Sequence, residues 1–206
     1  MTRTALVTGG SGGIGGEVVA QLRSGGWRVV SLSRREGCDV SDEGQVVKAF
    51  SGFDSLDALV HCAAELIKRP FEEMDAGEWD RQVNATLRGA FLCAREAFRL
   101  MRDRGGTIVM VSSLSGVFGA EKFPGMSAYV AAKSGLAGLT EALAVEGRPH
   151  RIRVNAVSPG AVDTAMLRVA GVEGPALDPG EVARLIVWLA SPESAPLSGA
   201  NLRMDP

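Results

Sequence analysis

Six of the eight residues from Gly9 to Gly16 are glycine, and what flanks them leaves few folds open. Ahead stands a short apolar run with β-branched residues, Thr4-Ala5-Leu6-Val7-Thr8. Behind comes a helical spacing of Val18, Val19 and Leu22, closed by Gly25-Gly26. Strand, glycine turn and helix form the context in which a turn meets phosphate. Glycines let the backbone come close, and the free N–H groups of the helix start meet the charge. Two templates fit the same residues. Gly10-x-Gly12-x-x-Gly15 fits a dinucleotide fingerprint, whereas Gly9-x-Ser11-x-Gly13 fits the nucleophile elbow of a serine hydrolase. A Walker A turn is excluded, because no Gly-Lys-Ser/Thr follows. The elbow needs a histidine on a late loop and an earlier strand to supply its oxyanion hole. The only histidines are His61, inside a strand-like run, and His150, beside Pro149. A hydrolase using Ser11 is therefore the weaker alternative.

The second strand is expected at 28–32, ending in Ser33-Arg34-Arg35. A dinucleotide site commonly has an acidic residue there for the ribose 2′-hydroxyl, and an arginine instead suits a 2′-phosphate. Cys38-Asp39-Val40 then arrives too soon for a parallel crossover, which needs about a dozen residues with its helix. The usual second helix is missing and the third strand is at most a stub. Ser41 is expected to cap a helix over 42–50, followed by a buried strand at 56–62. A long helix over 77–104 carries Trp79, Val83, Leu87, Phe91 and Phe98 on its inner side. Strands at 107–113, 153–157 and 200–204 alternate with a helix from the Tyr129 region to Gly147 and one begun by Asp178-Pro179. This alternation predicts an α/β, Rossmann-like, doubly wound parallel sheet, with 1–206 as a single domain and no linker or repeat.

Composition narrows the function classes. A net charge of −2 gives no electrostatic case for nucleic acid or an anionic membrane. No apolar run approaches the roughly 18 residues of a membrane span, and the strand at Thr4 leaves no room for a signal peptide. Three scattered cysteines without a Cys-x-x-Cys pair point to a reducing, cytoplasmic setting. No His/Cys/Asp cluster has metal-ligand spacing.

Tyr129 and Lys133 stand four residues apart, hence on one helical face. A phenol titrates near 10 and needs help to move protons at neutral pH. An ammonium one turn away stabilises the phenolate, and a serine such as Ser113 could hold the oxygen that gains or loses the proton. Helical spacing of Tyr129, Ala132, Leu136, Leu139 and Leu143 equally fits an amphipathic helix with a half-buried tyrosine.

Taken together these motifs resemble the short-chain dehydrogenase/reductase family along nearly the whole chain. Thr8-Gly9-x-x-x-Gly13-x-Gly15 matches its cofactor turn, and Asp39-Val40 its adenine-contacting pair. His61-Cys62-Ala63-Ala64 stands where the family usually has Asn-Asn-Ala-Gly. Ser113, Tyr129 and Lys133 match its catalytic residues, and Pro159-Gly160-x-x-x-Thr164 its nicotinamide-side loop. The resemblance implies hydride transfer between NADP(H), or alternatively NAD(H), and a small carbonyl or alcohol. Tyr129 would donate the proton, Ser113 would hold the oxygen, and Lys133 would bind the nicotinamide ribose and lower the tyrosine pKa. Gly9, Ser11, Gly13, Ile14, Gly15, Ser33, Arg34, Asp39, Val40, Cys62, Ala63, Pro159, Gly160, Val162 and Thr164 would complete the cofactor site. A homodimer or homotetramer is also implied.

Departures from the family pattern are equally legible. The segment Glu121-Lys122-Phe123-Pro124-Gly125-Met126 lengthens the loop before Tyr129, and the stretch from Thr164 to Asp178 is too short for a large lid. Phe118, Phe123, Met126 and Met166 suggest a partly apolar pocket. The glycine-rich tail common in the family is absent. Cys62 and His61 fall near the expected cofactor but fit a core strand. Thr86 takes the place of the family's fourth catalytic residue, an asparagine whose helix bend frees a carbonyl to hold a water beside the lysine. Its hydroxyl is expected to bond back to the Gln82 carbonyl, since Asn84, about 200° away around the helix, faces elsewhere. That substitution is the one point favouring a catalytically quiet NADP(H)-binding regulator.

Overall fold

Runs such as Ala58-Leu59-Val60-His61 and Gly106-Thr107-Ile108-Val109-Met110-Val111 carry no polar side, so they form strands only where both faces are covered. The computed structural model, which describes residues 2–205, meets that condition. Its six parallel strands are β1 (Thr4–Thr8), β2 (Arg28–Leu32), β3 (Ala58–His61), β4 (Gly106–Val111), β5 (Ile152–Pro159) and β6 (Asn201–Met204). They lie in the order β2-β1-β3-β4-β5-β6. The helices are α1 (Gly13–Ser24), α2 (Glu43–Phe50), α3 (Ala76–Val83), α4 (Gly89–Met101), α5 (Ser127–Gly147), α6 (Ala165–Ala170) and α7 (Pro179–Ala190). Side chains alternate across each strand. Ala5, Val7, Val60 and Val109 meet Val18 and Leu22 of α1 and Ile186 and Leu189 of α7. Leu6, Leu59, Ile108 and Met110 meet Phe50 of α2, Leu92 of α4 and Leu136 of α5. The chain runs outward from β1 to β2, then returns to β3 on the other side of β1, which sets the switch point of a doubly wound sheet between β1 and β3.

The shortened crossover is as expected: only a 3₁₀ turn (Arg34–Glu36) and α2 separate β2 from β3, and β2 is an edge strand. Residues 38–40 form no strand at all. The Asp39 carboxylate instead accepts from the Ser41 N–H and hydroxyl, at 2.9 and 2.8 Å. Ser41 does not cap α2, which starts at Glu43 and so places Asp42 at the cap, accepting from the Gln45 N–H at 2.9 Å.

The long helix is not regular. It runs as α3, widens into a π-turn at Asn84–Arg88, and continues as α4. Its buried stripe is Gln82, Thr86, Ala90, Cys93, Ala97 and Met101, one step from the register expected. Polar and small residues carry that stripe, letting the helix lie close to the sheet. Bulky Trp79, Val83 and Leu87 sit at its margin, and Phe91 is largely exposed. A short helix, α6, also appears beyond Thr164.

Candidate active site

At the C-terminal edge of the sheet, over the switch point, opens a cleft of about 970 Å³. Every residue named above for cofactor binding or catalysis lines it, with the exception of Thr86. At the glycine turn, α1 begins without any side-chain cap, leaving its first N–H groups to the cleft. A Cβ at Gly15 would come within 2.4 Å of the Gly9 carbonyl, so the turn closes only around glycine. A Cβ at Gly13 would lie 3.3 Å from Thr164 Cγ2, which brings the loop after β5 across to the same turn. Backbone donors without side chains above them fit a pyrophosphate, and hence a dinucleotide cofactor.

At the end of β2, where the sequence leads one to expect the adenosine side of a cofactor, the pair Ser33 and Arg34 lines the cleft but is engaged. Ser33 donates its hydroxyl to Glu36 Oε2 at 2.6 Å, and Ser31 donates to the same oxygen at 2.8 Å. The exposed Arg34 reaches Glu65 at 3.4 Å, and Glu65 also holds Arg81 at 2.5 Å. Neither glutamate was singled out from the sequence. Glu36 lies three residues beyond Ser33, the spacing of a 3₁₀ turn, and that signal could have found it.

The candidate proton-transfer group is assembled from two elements. Ser113 follows the end of β4 and caps a 3₁₀ turn (Leu114–Gly116), accepting from the Ser115 N–H at 3.2 Å. Tyr129 and Lys133 sit on α5, both buried. Ser112 ties β4 to α5 by donating to the Lys133 carbonyl at 2.8 Å, and Ser134 donates to the Gly116 carbonyl at 3.0 Å. Lys133 Nζ donates to the Val111 carbonyl at 2.6 Å and lies 5.6 Å from the Tyr129 ring centroid. The ammonium thus sits against the ring rather than at the hydroxyl. Contrary to expectation, burial prevails and pushes the phenol up to about 12, opposed by the Ser113 hydroxyl. Burial also brings Lys133 down to about 8. Leu66, Phe123, Met126, Met166 and Val172 form an apolar wall around Tyr129. Phe118 is no part of it, being fully exposed to solvent on the loop.

Thr86 is completely buried beside the site but not in it. Its hydroxyl does not return to Gln82; it accepts from the Glu65 N–H at 3.3 Å, while Gln82 Oε1 accepts from the Ile67 N–H at 2.9 Å. The two side chains, one turn apart, anchor the loop that carries Ala63, Ala64 and Leu66 along the cleft. The helix distortion expected from a side-chain bond is supplied by the π-turn itself.

The hydrolase alternative finds no base. His61 is fully buried, with Nδ1 3.0 Å from Thr8 Oγ1. His150 lies before β5, at the opposite end of the strands from Ser11. Desolvation pushes the Cys62 thiol up to about 12, which leaves it inert. Among the described residues no His/Cys/Asp/Glu group could hold a metal ion, and no helix is long and apolar enough to cross a membrane.

His61 has a consequence for acid stability. Burial first, and the Lys133 charge second, hold it down to about 3, against smaller pulls from the Thr86 and Ala63 backbone. Between pH 6.5 and 3 the unfolded chain takes up a proton that the folded chain refuses, so stability falls as the pH falls. At pH 4 the loss is on the order of 3 kcal/mol, from about 1.4 kcal/mol per pH step. Urea unfolding at pH 7 and pH 4 should therefore show a larger drop for the native chain than for His61→Gln. An equal drop would mean that His61 is not held neutral.

The chain has wide likenesses. The family model described as Enoyl-(Acyl carrier protein) reductase matches residues 30–206. Acetoacetyl-CoA reductase of Allochromatium vinosum is 33% identical over 100% of this chain and 98% of its own length. Carbonyl reductase [NADPH] 2 of Sus scrofa is 33% identical over 98% of this chain and 94% of its own. The ligand-free structure of Thermoplasma acidophilum aldohexose dehydrogenase superposes with a TM-score of 0.90 at 28% identity, covering 99% of this chain and 92% of that one.

Proposed function

The chain belongs to the short-chain dehydrogenase/reductase family and is an NAD(P)-dependent oxidoreductase; from that premise we propose that it is an NADP(H)-dependent carbonyl reductase acting on a small or medium-sized, partly apolar substrate. The observation that carries this reading is the meeting of Ser113, Tyr129 and Lys133 with the glycine turn in one cleft. When bound, the nicotinamide supplies or accepts the hydride. Gly9, Ser11, Gly13, Ile14, Gly15, Asp39, Val40, Cys62, Ala63, Pro159, Gly160, Val162 and Thr164 are assigned to holding the cofactor, with Lys133 at its nicotinamide ribose. Tyr129, kept protonated by its apolar surroundings, is the proton donor to the carbonyl oxygen, and Ser113 positions that oxygen. The reductase names of the relatives and the apolar wall around Tyr129 support a ketone or 3-oxoacyl thioester as substrate. Three free cysteines, Cys38, Cys62 and Cys93, fit a cytoplasmic setting, and a homo-oligomer belongs to the same reading. Turnover of NADPH against ketones, aldehydes and 3-oxoacyl thioesters tests it. Tight NADPH binding with no turnover of any carbonyl would favour the quiet regulator instead.

Cofactor choice rests on Arg34 and is opposed by Glu36. An exposed ion pair such as Arg34–Glu65 is weak and readily gives way to a doubly charged phosphate. Loss of a charge-assisted contact of about 1.5–3 kcal/mol in Arg34→Ala should cost NADPH one to two decades in affinity, with NADH little changed. Glu36→Gln should move the other way, tightening NADPH by about fivefold, the worth of ~1 kcal/mol. Titration of both cofactors decides. Equal affinity of the native chain for NADPH and NADH would end the assignment.

A further inference from the structure

Arg34, Glu65 and Arg81 form a chain of charge that begins in the cleft and ends outside it. Arg34 lines the cleft, whereas Glu65 and Arg81 do not. Each oxygen of the Glu65 carboxylate takes one guanidinium. Oε2 accepts from Arg34 at 3.4 Å, and Oε1 accepts from Arg81 at 2.5 Å. The glutamate is the sheltered member, its side chain 13% exposed against 65% for Arg34 and 63% for Arg81.

Which of the three can move follows from how each is held. Glu65 stands on the loop after β3, and that loop is pinned to the long helix at three places. The Thr86 hydroxyl accepts from the Glu65 N–H at 3.3 Å, and Gln82 Oε1 accepts from the Ile67 N–H at 2.9 Å. Arg81, next to Gln82 on α3, holds the carboxylate itself. Arg34 is held less firmly. Its contact with Glu65 is longer than the roughly 2.7–2.9 Å of a firm charge-assisted bond, and among the described residues its side chain makes no other polar contact. A doubly charged group entering the cleft would therefore draw Arg34 away and leave Glu65 in place. A sheltered carboxylate deserted by its cation is destabilising, and its charge would repel the phosphate that displaced it. Arg81 removes both penalties, because it keeps the carboxylate paired after Arg34 has left.

We propose that Glu65 and Arg81 determine cofactor specificity through Arg34, Glu65 as the counter-ion that competes with a 2′-phosphate for it and Arg81 as the cation that lets Glu65 give it up. Both are positioning residues, since neither reaches the cleft. The proposal rests on the NADP(H) reading, in which Arg34 meets the 2′-phosphate. Fluorescence titration of the full chain with NADPH and with NADH gives the preference for the 2′-phosphate as the ratio of the two affinities. Arg81→Ala should lower that preference about fivefold, the scale of a partly exposed ion pair, with NADH affinity unchanged. Glu65→Gln keeps the shape of the side chain and the N–H bonded to Thr86, and should raise the preference by about the same factor. Added to Glu65→Gln, Arg81→Ala should then have little effect, because no carboxylate is left to neutralise. A loss on Arg81→Ala that persists in full in the Glu65→Gln background would mean that Arg81 acts on the phosphate directly, and overturns the proposal. A preference unmoved by either single change overturns it too. So does an equal fall in affinity for both cofactors, which is what a merely structural ion pair would give. Failure of the NADP(H) reading looks different, since the native chain would then bind the two cofactors equally and Arg34→Ala would leave their ratio as it was.

Discussion

Tyr129→Phe is expected to lower kcat by roughly 10²–10⁴-fold while cofactor binding survives, as for removal of a general acid. The change deletes one oxygen and leaves the ring among Leu66, Met126 and Ala170, so the apolar wall stays packed. Burial keeps the phenol protonated to about 12, which makes it a proton source across the physiological range. It is a poor one unless the phenolate is stabilised as the proton leaves. Ser113 supplies that stabilisation by its hydrogen bond, and Lys133, lowered to about 8 yet mainly charged at neutral pH and 5.6 Å from the ring centroid, is assigned in this reading to add its field as the charge develops. Without the hydroxyl neither can act. Steady-state rates together with quenching of cofactor fluorescence check the pair of expectations, and a variant that turned over at near-native rate would remove Tyr129 from the chemistry.

The second large effect is expected at a glycine. Gly116 closes the turn after Ser113 and touches the backbone of α5 where Lys133 emerges. A Cβ there would stand 2.6 Å from the Lys133 carbonyl carbon and 2.8 Å from its carbonyl oxygen. Those atoms belong to a long helix tied to β4 through Ser112 and to the turn itself through Ser134, so they cannot step aside singly. Gly116→Ala must push the serine-bearing turn and the tyrosine-bearing helix apart. Overpacking of this kind costs about 1–3 kcal/mol, and a displacement on the order of 1 Å between reacting groups costs about 10²-fold in rate. Melting temperature and kcat measured together should fall together. A variant with native kcat would show that the spacing of Ser113 and Tyr129 is set elsewhere.

Local chemistry made much of this legible beforehand. The glycine turn, the Tyr-x-x-x-Lys pair and the apolar strands each imply their own geometry, and the missing crossover followed from the count of residues between Arg35 and Cys38. What stayed hidden depended on contacts distant in sequence. Glu65 and Thr86 are twenty-one residues apart, and only the folded chain sets the Glu65 N–H against the Thr86 hydroxyl. The buried stripe of the long helix was misplaced because Gln82 and Thr86, polar residues, carry it inward while Phe91 faces out. Nor does spacing say that Lys133 is turned to the Val111 carbonyl, or that burial outweighs the Ser113 hydrogen bond at Tyr129. His61 read as core on its strand pattern, and its unsatisfied nitrogen is visible only once Thr8 claims the other.

The central claim is that this cleft moves a hydride between a nicotinamide and a carbonyl carbon, with Tyr129 providing the proton. The direct measurement is mass spectrometry of the alcohol formed from an accepted ketone, using NADPH deuterated at the reactive ring carbon. The account predicts one deuterium on the carbinol carbon with the native chain, and a rate of its appearance reduced at least about 10²-fold in Tyr129→Phe. Alcohol formed without deuterium, or labelled equally fast by both chains, would contradict it.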